Sequence, residues 1–242
     1  MRADVVGWIA SLVPVREWHV RVAVDGGDGA GKTWLADELG EALRALGRPV
    51  VRVGVDDFHR PRAERYRRGR QSPEGFWLDS FDYARLRSDV LSPFGPGGDG
   101  RYRDRAHDLA SDELLDPPWR QAPDGAVLVL DGLFLHRDGL AGLWDLSVFI
   151  EASDASRFAR MASRDGTPDD PDDPANARYL GAHRLYVAAC DPPPAPTSSS
   201  TTPNPSASGS SAAGSGEGSS SSAAARCRGL EAGHPHCCSR TR

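Results

Sequence analysis

The 242-residue chain predicts an α/β domain with a parallel sheet covered on both faces by helices, and three observations carry that expectation. Apolar runs of strand length alternate with stretches of helical periodicity through the first 191 residues. A glycine-rich turn joins the first strand to the helix after it. Acidic residues close the second and third strands.

Taken in order, Val5, Val6, Ile9, Leu12 and Val13 form a helical stripe, and His19 to Val24 reads as a buried strand. Leu35, Leu39, Leu43 and Leu46 mark the next helix face, and Val50 to Val55 is the second strand. A long polar, arginine-rich region follows. Strands then return at Ala126 to Leu130 and Leu146 to Ile150, with helices near Ser153 to Arg164 and Asn176 to Cys190.

Composition narrows the class. Hydrophobic residues make up 39% and charged residues 26% of the chain, which suits one domain with one substantial core. No apolar run reaches the roughly 20 residues of a bilayer helix, so no membrane is expected as a partner and a cytoplasmic protein is the expectation. The first 191 residues hold 25 basic and 32 acidic side chains, and an acidic body argues against nucleic acid as a partner. All four cysteines lie at or beyond position 190, which argues against a disulfide framework. Lys32 is the single lysine beside 28 arginines, the imprint of GC-rich codons, and a lone lysine in such a chain is a position to explain.

Its setting explains it. Gly26-Gly27-Asp28-Gly29-Ala30-Gly31-Lys32-Thr33 has the spacing of a phosphate-binding loop, placed between strand and helix as that motif requires. Backbone N–H groups and the helix N-terminus cradle phosphates, Lys32 adds a point charge, and Thr33 offers a hydroxyl to Mg²⁺. Asp56 and Asp57 end the second strand, in the crevice where open α/β sheets bind ligands. Asp131 ends the third strand in the pattern of a magnesium-associated acid. Arg157, Arg160 and Arg164 recur at i, i+3 and i+7, on one helix face that suits a phosphate-rich ligand or a solvated surface. Six arginines between His59 and Arg70 read as a mobile loop over the acceptor or the phosphates, or as a nucleic-acid patch, and the acidic body favours the first.

These motifs resemble the uridine kinase and phosphoribulokinase group of P-loop kinases over about residues 19 to 191. The carrying stretches are GGDGAGKT, DDFHR, LVLDG, RFARMASRD and RYLGAHRLYVAACDP. The resemblance implies a P-loop NTPase three-layer sandwich using ATP or GTP with Mg²⁺ to phosphorylate a nucleoside-like acceptor, most directly the 5′-hydroxyl of uridine or cytidine. It implies Asp56 as general base, Lys32, Arg160 and Arg164 as catalytic cations, Thr33 and Asp131 at the metal, and Asp57, His59, Arg60, Tyr102, His107 and Arg178 at the substrate. Pantothenate, ribulose 5-phosphate and a nucleotide-binding module without acceptor chemistry remain open. The chain departs from the family in Asp131 for Glu, in His59 for Tyr, and in an acidic lid loop, Thr167 to Pro174.

After Asp191 the composition changes to Ser, Ala, Pro and Gly with one large aliphatic, Leu230, so residues 192–242 are expected to form a disordered tail after a kinase domain at 1–191. The family places a Val-rich strand where this chain reads Pro196 to Thr202. If those residues are encoded CCG-ACG-TCG-TCG-TCG-ACA-ACC, the adjacent frame reads Asp-Val-Val-Val-Asp-Asn. A frameshift product lacking the final sheet strand is the expectation.

Overall fold

The structure, a computed structural model, describes residues 2–192, 223–228 and 236–240. Helix α1 (Arg2–Leu12) leads into β1 (Val20–Gly26), which ends in the glycine loop, and α2 (Lys32–Ala45) begins at the lysine. Strand β2 (Val50–Gly54) runs into a 3₁₀ turn, Val55–Phe58, that carries Asp56 and Asp57. Short helices α3 (Arg62–Arg65), α4 (Pro73–Asp79) and α5 (Tyr83–Leu86) follow. Two hairpins come next: β3 (Arg101–Tyr102) pairs with β6 (Arg120–Gln121), and β4 (His107–Asp108) with β5 (Glu113–Leu114). Strand β7 (Val127–Gly132), strand β8 (Leu146–Glu151), helix α6 (Asp154–Asp165) and helix α7 (Ala177–Cys190) complete the body.

The core strands lie in the order β8-β1-β7-β2, all parallel, with Val24 opposite Asp131 and Gly54 opposite Asp131 from the other side. This register brings the C-terminal ends of β1, β2 and β7 together, which is where the loop and the strand-end acids must converge. Alternation assigns the two faces. Val20, Val22, Val24, Val127 and Val129 pack toward α1 and α2, whereas Ala23, Leu128, Leu130, Val51 and Val53 join Phe58, Phe94, Phe134 and Tyr186 on the opposite face. Two apolar layers with one sheet between them make the three-layer sandwich the sequence predicts. No described helix is long and apolar enough to cross a membrane.

The open edge of β8 departs from expectation. Strand β9 (Ala223–Arg228) pairs parallel to it, from Leu146 opposite Ala223 to Glu151 opposite Arg228, and β10 (His236–Arg240) pairs antiparallel to β9. The expected missing strand is thus corrected: a segment from far down the tail occupies that position. The backbone of a parallel edge strand accepts any extended partner, whatever its side chains. The segment around Pro196 to Thr202, on which the frameshift expectation rests, lies outside the described residues, as does most of the expected disordered tail.

A buried polar knot ties the layers beneath the loop. The Asp25 carboxylate, fully buried, accepts from the N–H groups of Gly26 and Leu135, from His136 Nδ1 at 2.7 Å, and from the Tyr186 hydroxyl. The same hydroxyl accepts from the His136 N–H at 3.0 Å, and His136 Nε2 lies 2.9 Å from Ser147 Oγ. One carboxylate with four donors is well compensated for its burial.

Candidate active site

A cavity of about 690 Å³ opens at the C-terminal ends of the core strands, and the glycine loop forms one wall. The loop turns because Gly29 has φ +70°, a left-handed conformation that side chains disfavour, and a Cβ there would sit 2.3 Å from the Arg157 carbonyl oxygen. A Cβ at Gly27 would meet the Arg157 guanidinium equally closely. Arg157 therefore backs the loop: it is 1% exposed, donates from Nε to the Asp28 carbonyl at 2.9 Å and from Nη1 to Asp154 at 2.9 Å. Burial pulls its pKa below the ordinary guanidinium value, against Asp28 and Asp154, which raise it. Burial likewise raises the Asp28 carboxyl, opposed by Lys32 and Arg157.

At the start of α2, Lys32 Nζ donates to the Gly27 carbonyl at 2.9 Å, which folds the ammonium back over the loop. Thr33 Oγ1 donates to Asp131 Oδ2 at 2.7 Å, and the other Asp131 oxygen accepts from Arg52 Nη2 at 2.9 Å. Arg52 comes from β2 and also donates to the Val129 carbonyl at 2.6 Å. A hydroxyl and a carboxylate in contact are hard oxygen donors, the set that Mg²⁺ takes alongside nucleotide phosphates and water. Thr33 and Asp131 thus fit the ion the sequence implies. Asp131 reaches this place although it is shorter than Glu, because its strand lies directly beside β1.

Asp56 lines the cavity from the turn after β2 and is exposed to it. His59 Nδ1 lies 2.7 Å from the Asp56 backbone oxygen. That oxygen can only accept, so Nδ1 carries the proton. Burial lowers the His59 pKa, and the ring packs on Phe81 at 4.5 Å. In place of the family's Tyr, a neutral imidazole fastens the turn that presents Asp56.

Arg160, Arg164 and Arg178 all line the cavity. Arg160 Nη1 donates to the Gly29 carbonyl at 3.1 Å, and Arg164 pairs with Asp165 at 2.7 Å. The three-arginine face of α6 is therefore divided: Arg157 is built into the loop's support, while Arg160 and Arg164 face the space above it. The acidic lid loop has a local cause. Asp170 accepts from the Asp172 N–H, Asp173 accepts from the Ala175 N–H, and Asn176 Nδ2 donates to the carbonyls of Pro168 and Asp170. Its acids terminate turns.

Four sequence candidates are not brought to the cavity. Tyr102 is buried at 8% exposure against Phe94, with ring centroids 5.4 Å apart. The His107 side chain is fully buried, 3.1 Å from Asp112, and fastens its own hairpin. Asp57 lies outside the lining, its carboxyl raised by burial in spite of Arg105. Arg60 donates its backbone N–H to Ser80 and also lies outside the lining. Hairpins of two-residue strands have little core of their own, so their aromatic and imidazole side chains go to packing.

Two side chains that the sequence motifs do not single out belong to the site's support, Arg52 and Asp25. Arg52 is the one charge in the strand VVRVG, and Asp25 is a carboxylate in the Val-rich strand VRVAVDG; a charge among buried apolar residues is the available signal.

Known proteins are similar to this chain in sequence and in fold. A uridine kinase of Leuconostoc citreum (strain KM20) is 28% identical over 153 residues, covering 60% of this chain and 67% of its own. The structure of a possible uridine kinase from Bacillus stearothermophilus superimposes with TM-score 0.61 at 19% identity, over 78% of this chain and 93% of the other. A candidate fructose transport system kinase from Silicibacter sp. TM1040 gives 0.62 at 26% identity, over 78% and 95%. The model of the phosphoribulokinase / uridine kinase family matches residues 21–168. With the glycine loop, the paired Thr33 and Asp131, and Asp56 around one cavity, the chain belongs to the phosphoribulokinase / uridine kinase family, whose members transfer phosphoryl groups to hydroxyls.

Proposed function

We propose that the protein is a kinase that transfers the γ-phosphoryl group of ATP to a hydroxyl of a small acceptor, with Asp56 receiving the hydroxyl proton. The observation that carries this reading is the position of Asp56: an exposed carboxylate with no ion-pair partner among the described residues, in the same cavity as Lys32 and Thr33. A carboxylate so placed serves as base for an acceptor oxygen and has no use in nucleotide binding alone. The acceptor oxygen bonds to the γ-phosphorus as the bond to the β,γ-bridging oxygen breaks, ADP departs, and the proton passes to Asp56.

The loop N–H groups and the α2 N-terminus bind the phosphates, while Lys32, Arg160 and Arg164 are the cations within the cavity for the charge of the transferring group. Thr33 and Asp131 would hold Mg²⁺, which would supply neutralising charge to the phosphates. One relative is named a uridine kinase and another a fructose transport system kinase, so the relatives do not agree on one acceptor. Tyr102 and His107, the side chains expected at a nucleoside base, are committed to packing. Acceptor-dependent release of ADP from Mg²⁺-ATP, with uridine, cytidine and fructose as first acceptors and GTP as alternative donor, tests the reading. Tight ATP binding with no acceptor-dependent turnover would instead identify a nucleotide-binding module.

A further inference from the structure

We propose that the acceptor carries an oxyanion, a carboxylate or a phosphate monoester, bound by Arg178 while its hydroxyl faces Asp56; this rests on the kinase reading above. Segment 62–76 and the start of α7 supply Arg65, Tyr66, Arg70, Phe76, Arg178 and Tyr179 to the cavity lining. The Arg178 guanidinium lies 4.5 Å from the Phe76 ring centroid, 5.1 Å from Tyr179 and 5.6 Å from Tyr66. Its Nε is buried without a hydrogen-bond partner. Among the described residues no carboxylate lies within ion-pair distance of it.

The neighbouring charges do not supply the missing anion. Asp79 is taken by Arg67 at 3.4 Å and Arg68 at 2.9 Å. Asp112 faces Arg62 at 4.0 Å, Arg65 at 3.7 Å and His107 at 3.1 Å. The Arg65 Nε is also buried and unpaired, and Arg70 has no carboxylate partner among the described residues. This wall is therefore cationic in excess. Three aromatic faces hold the Arg178 guanidinium through cation–π attraction but give its N–H groups nothing to bond. A planar donor fork fixed in this way matches the paired oxygens of a carboxylate or phosphate. A neutral sugar or nucleoside would leave the charge partly desolvated and uncompensated.

The nucleotide has its own cations. Arg160 touches the loop carbonyls directly and Lys32 lies across the loop, whereas the aromatic rings that hold Arg178 come from the acceptor-side segment after Asp56 and from α7 itself. The reaction is unchanged: the acceptor hydroxyl takes the γ-phosphoryl of ATP, its proton passes to Asp56, and the distant oxyanion stays intact and fixes which hydroxyl is presented.

The test uses the full chain with Mg²⁺-ATP and three acceptor sets: uridine and fructose, glycerate and pantothenate, ribulose 5-phosphate and fructose 6-phosphate. One anionic set is expected to exceed the neutral set in kcat/KM by about tenfold or more, and which set does so separates carboxylate from phosphate. Arg178→Gln is expected to raise the acceptor KM by about 10- to 100-fold, with kcat and the KM for ATP within about twofold, and Arg178→Lys to recover part of the loss. A neutral acceptor used as well as any anion overturns the inference and leaves the kinase reading standing. So does an Arg178→Gln effect that falls on the KM for ATP. ATP binding without turnover of any acceptor overturns both.

Discussion

Asp56 shares the cavity wall with Lys32 but is proposed to serve the acceptor and not the nucleotide. Replacing Asp56 with Asn keeps the shape and removes the proton acceptor, so Asp56→Asn is expected to lower kcat by about 100-fold or more while the ATP dissociation constant, measured by titration, changes little. An equal loss of ATP affinity would remove Asp56 from the role of base. His183 makes the pH-dependent case. Burial, reinforced by Arg157 and Lys32, brings its pKa down from 6.5 to about 4, against Asp154 and Asp25. The folded chain keeps the imidazole neutral where the unfolded chain already binds a proton, so stability is lost as pH falls from about 6.5 toward 4. Melting temperatures between pH 7 and pH 4.5 should therefore fall less steeply for His183→Gln than for the parent chain, and parallel slopes would show that His183 contributes nothing. At this scale the loop residues are legible because eight consecutive side chains carry the whole signal. Arg52 and Asp131, 79 positions apart, and Asp25 and Tyr186, 161 apart, meet only through strand order, which periodicity does not reveal.

At the scale of elements, the glycine loop is held by α6 as much as by its own turn. Gly29→Ala adds a methyl 2.3 Å from the backbone oxygen of Arg157 at φ +70°, and neither the loop nor the first turns of α6 has a flexible end that can yield. The expected outcome is a stability loss of about 1–3 kcal/mol in urea denaturation, with weakened ATP binding in titration. Unchanged ATP affinity would mean that the loop's shape does not depend on α6. The strands and long helices of the body follow their apolar periodicity closely, and Ser153 caps α6 by accepting from the Ser156 N–H. Between His59 and Gly125 the same periodicity marks no regular element, because α3, α4, α5 and the two hairpins are too short for a period to show. That region nonetheless lines much of the cavity. Tyr66 and Phe76 matter there for their position beside Arg178, a relation that joins segment 62–76 to α7 across about 100 residues of sequence.

For the whole molecule, the decisive element is the neighbour of β8. In the described structure this place is held by Ala223–Arg228, separated from the end of α7 by residues 191–222. The Val-rich segment of the adjacent reading frame would follow α7 after a short connection, with apolar side chains suited to a strand covered on both faces. A long connection also carries a larger closure entropy. The hydrogen bonds that shape the phosphate loop, from Lys32, Thr33, Arg157 and Arg160, all lie within residues 20–191, so loop chemistry does not depend on which segment fills the edge. Stability is expected to depend on it. A chain ending in Asp-Val-Val-Val-Asp-Asn in place of residues 197–202 is therefore expected to melt about 5 °C or more above the full chain, to scatter less light on heating, and to bind ATP with the same affinity. A chain ended after Pro192 should keep ATP affinity while leaving the β8 edge bare, and should aggregate most readily. Thermal scans of the three chains rank them. If the Val-rich chain melts at or below the full chain, the tail is a selected part of the sheet and no frameshift has occurred; codons other than TCG at Ser198 to Ser200, or a stop in the adjacent frame, would exclude the frameshift from the gene itself.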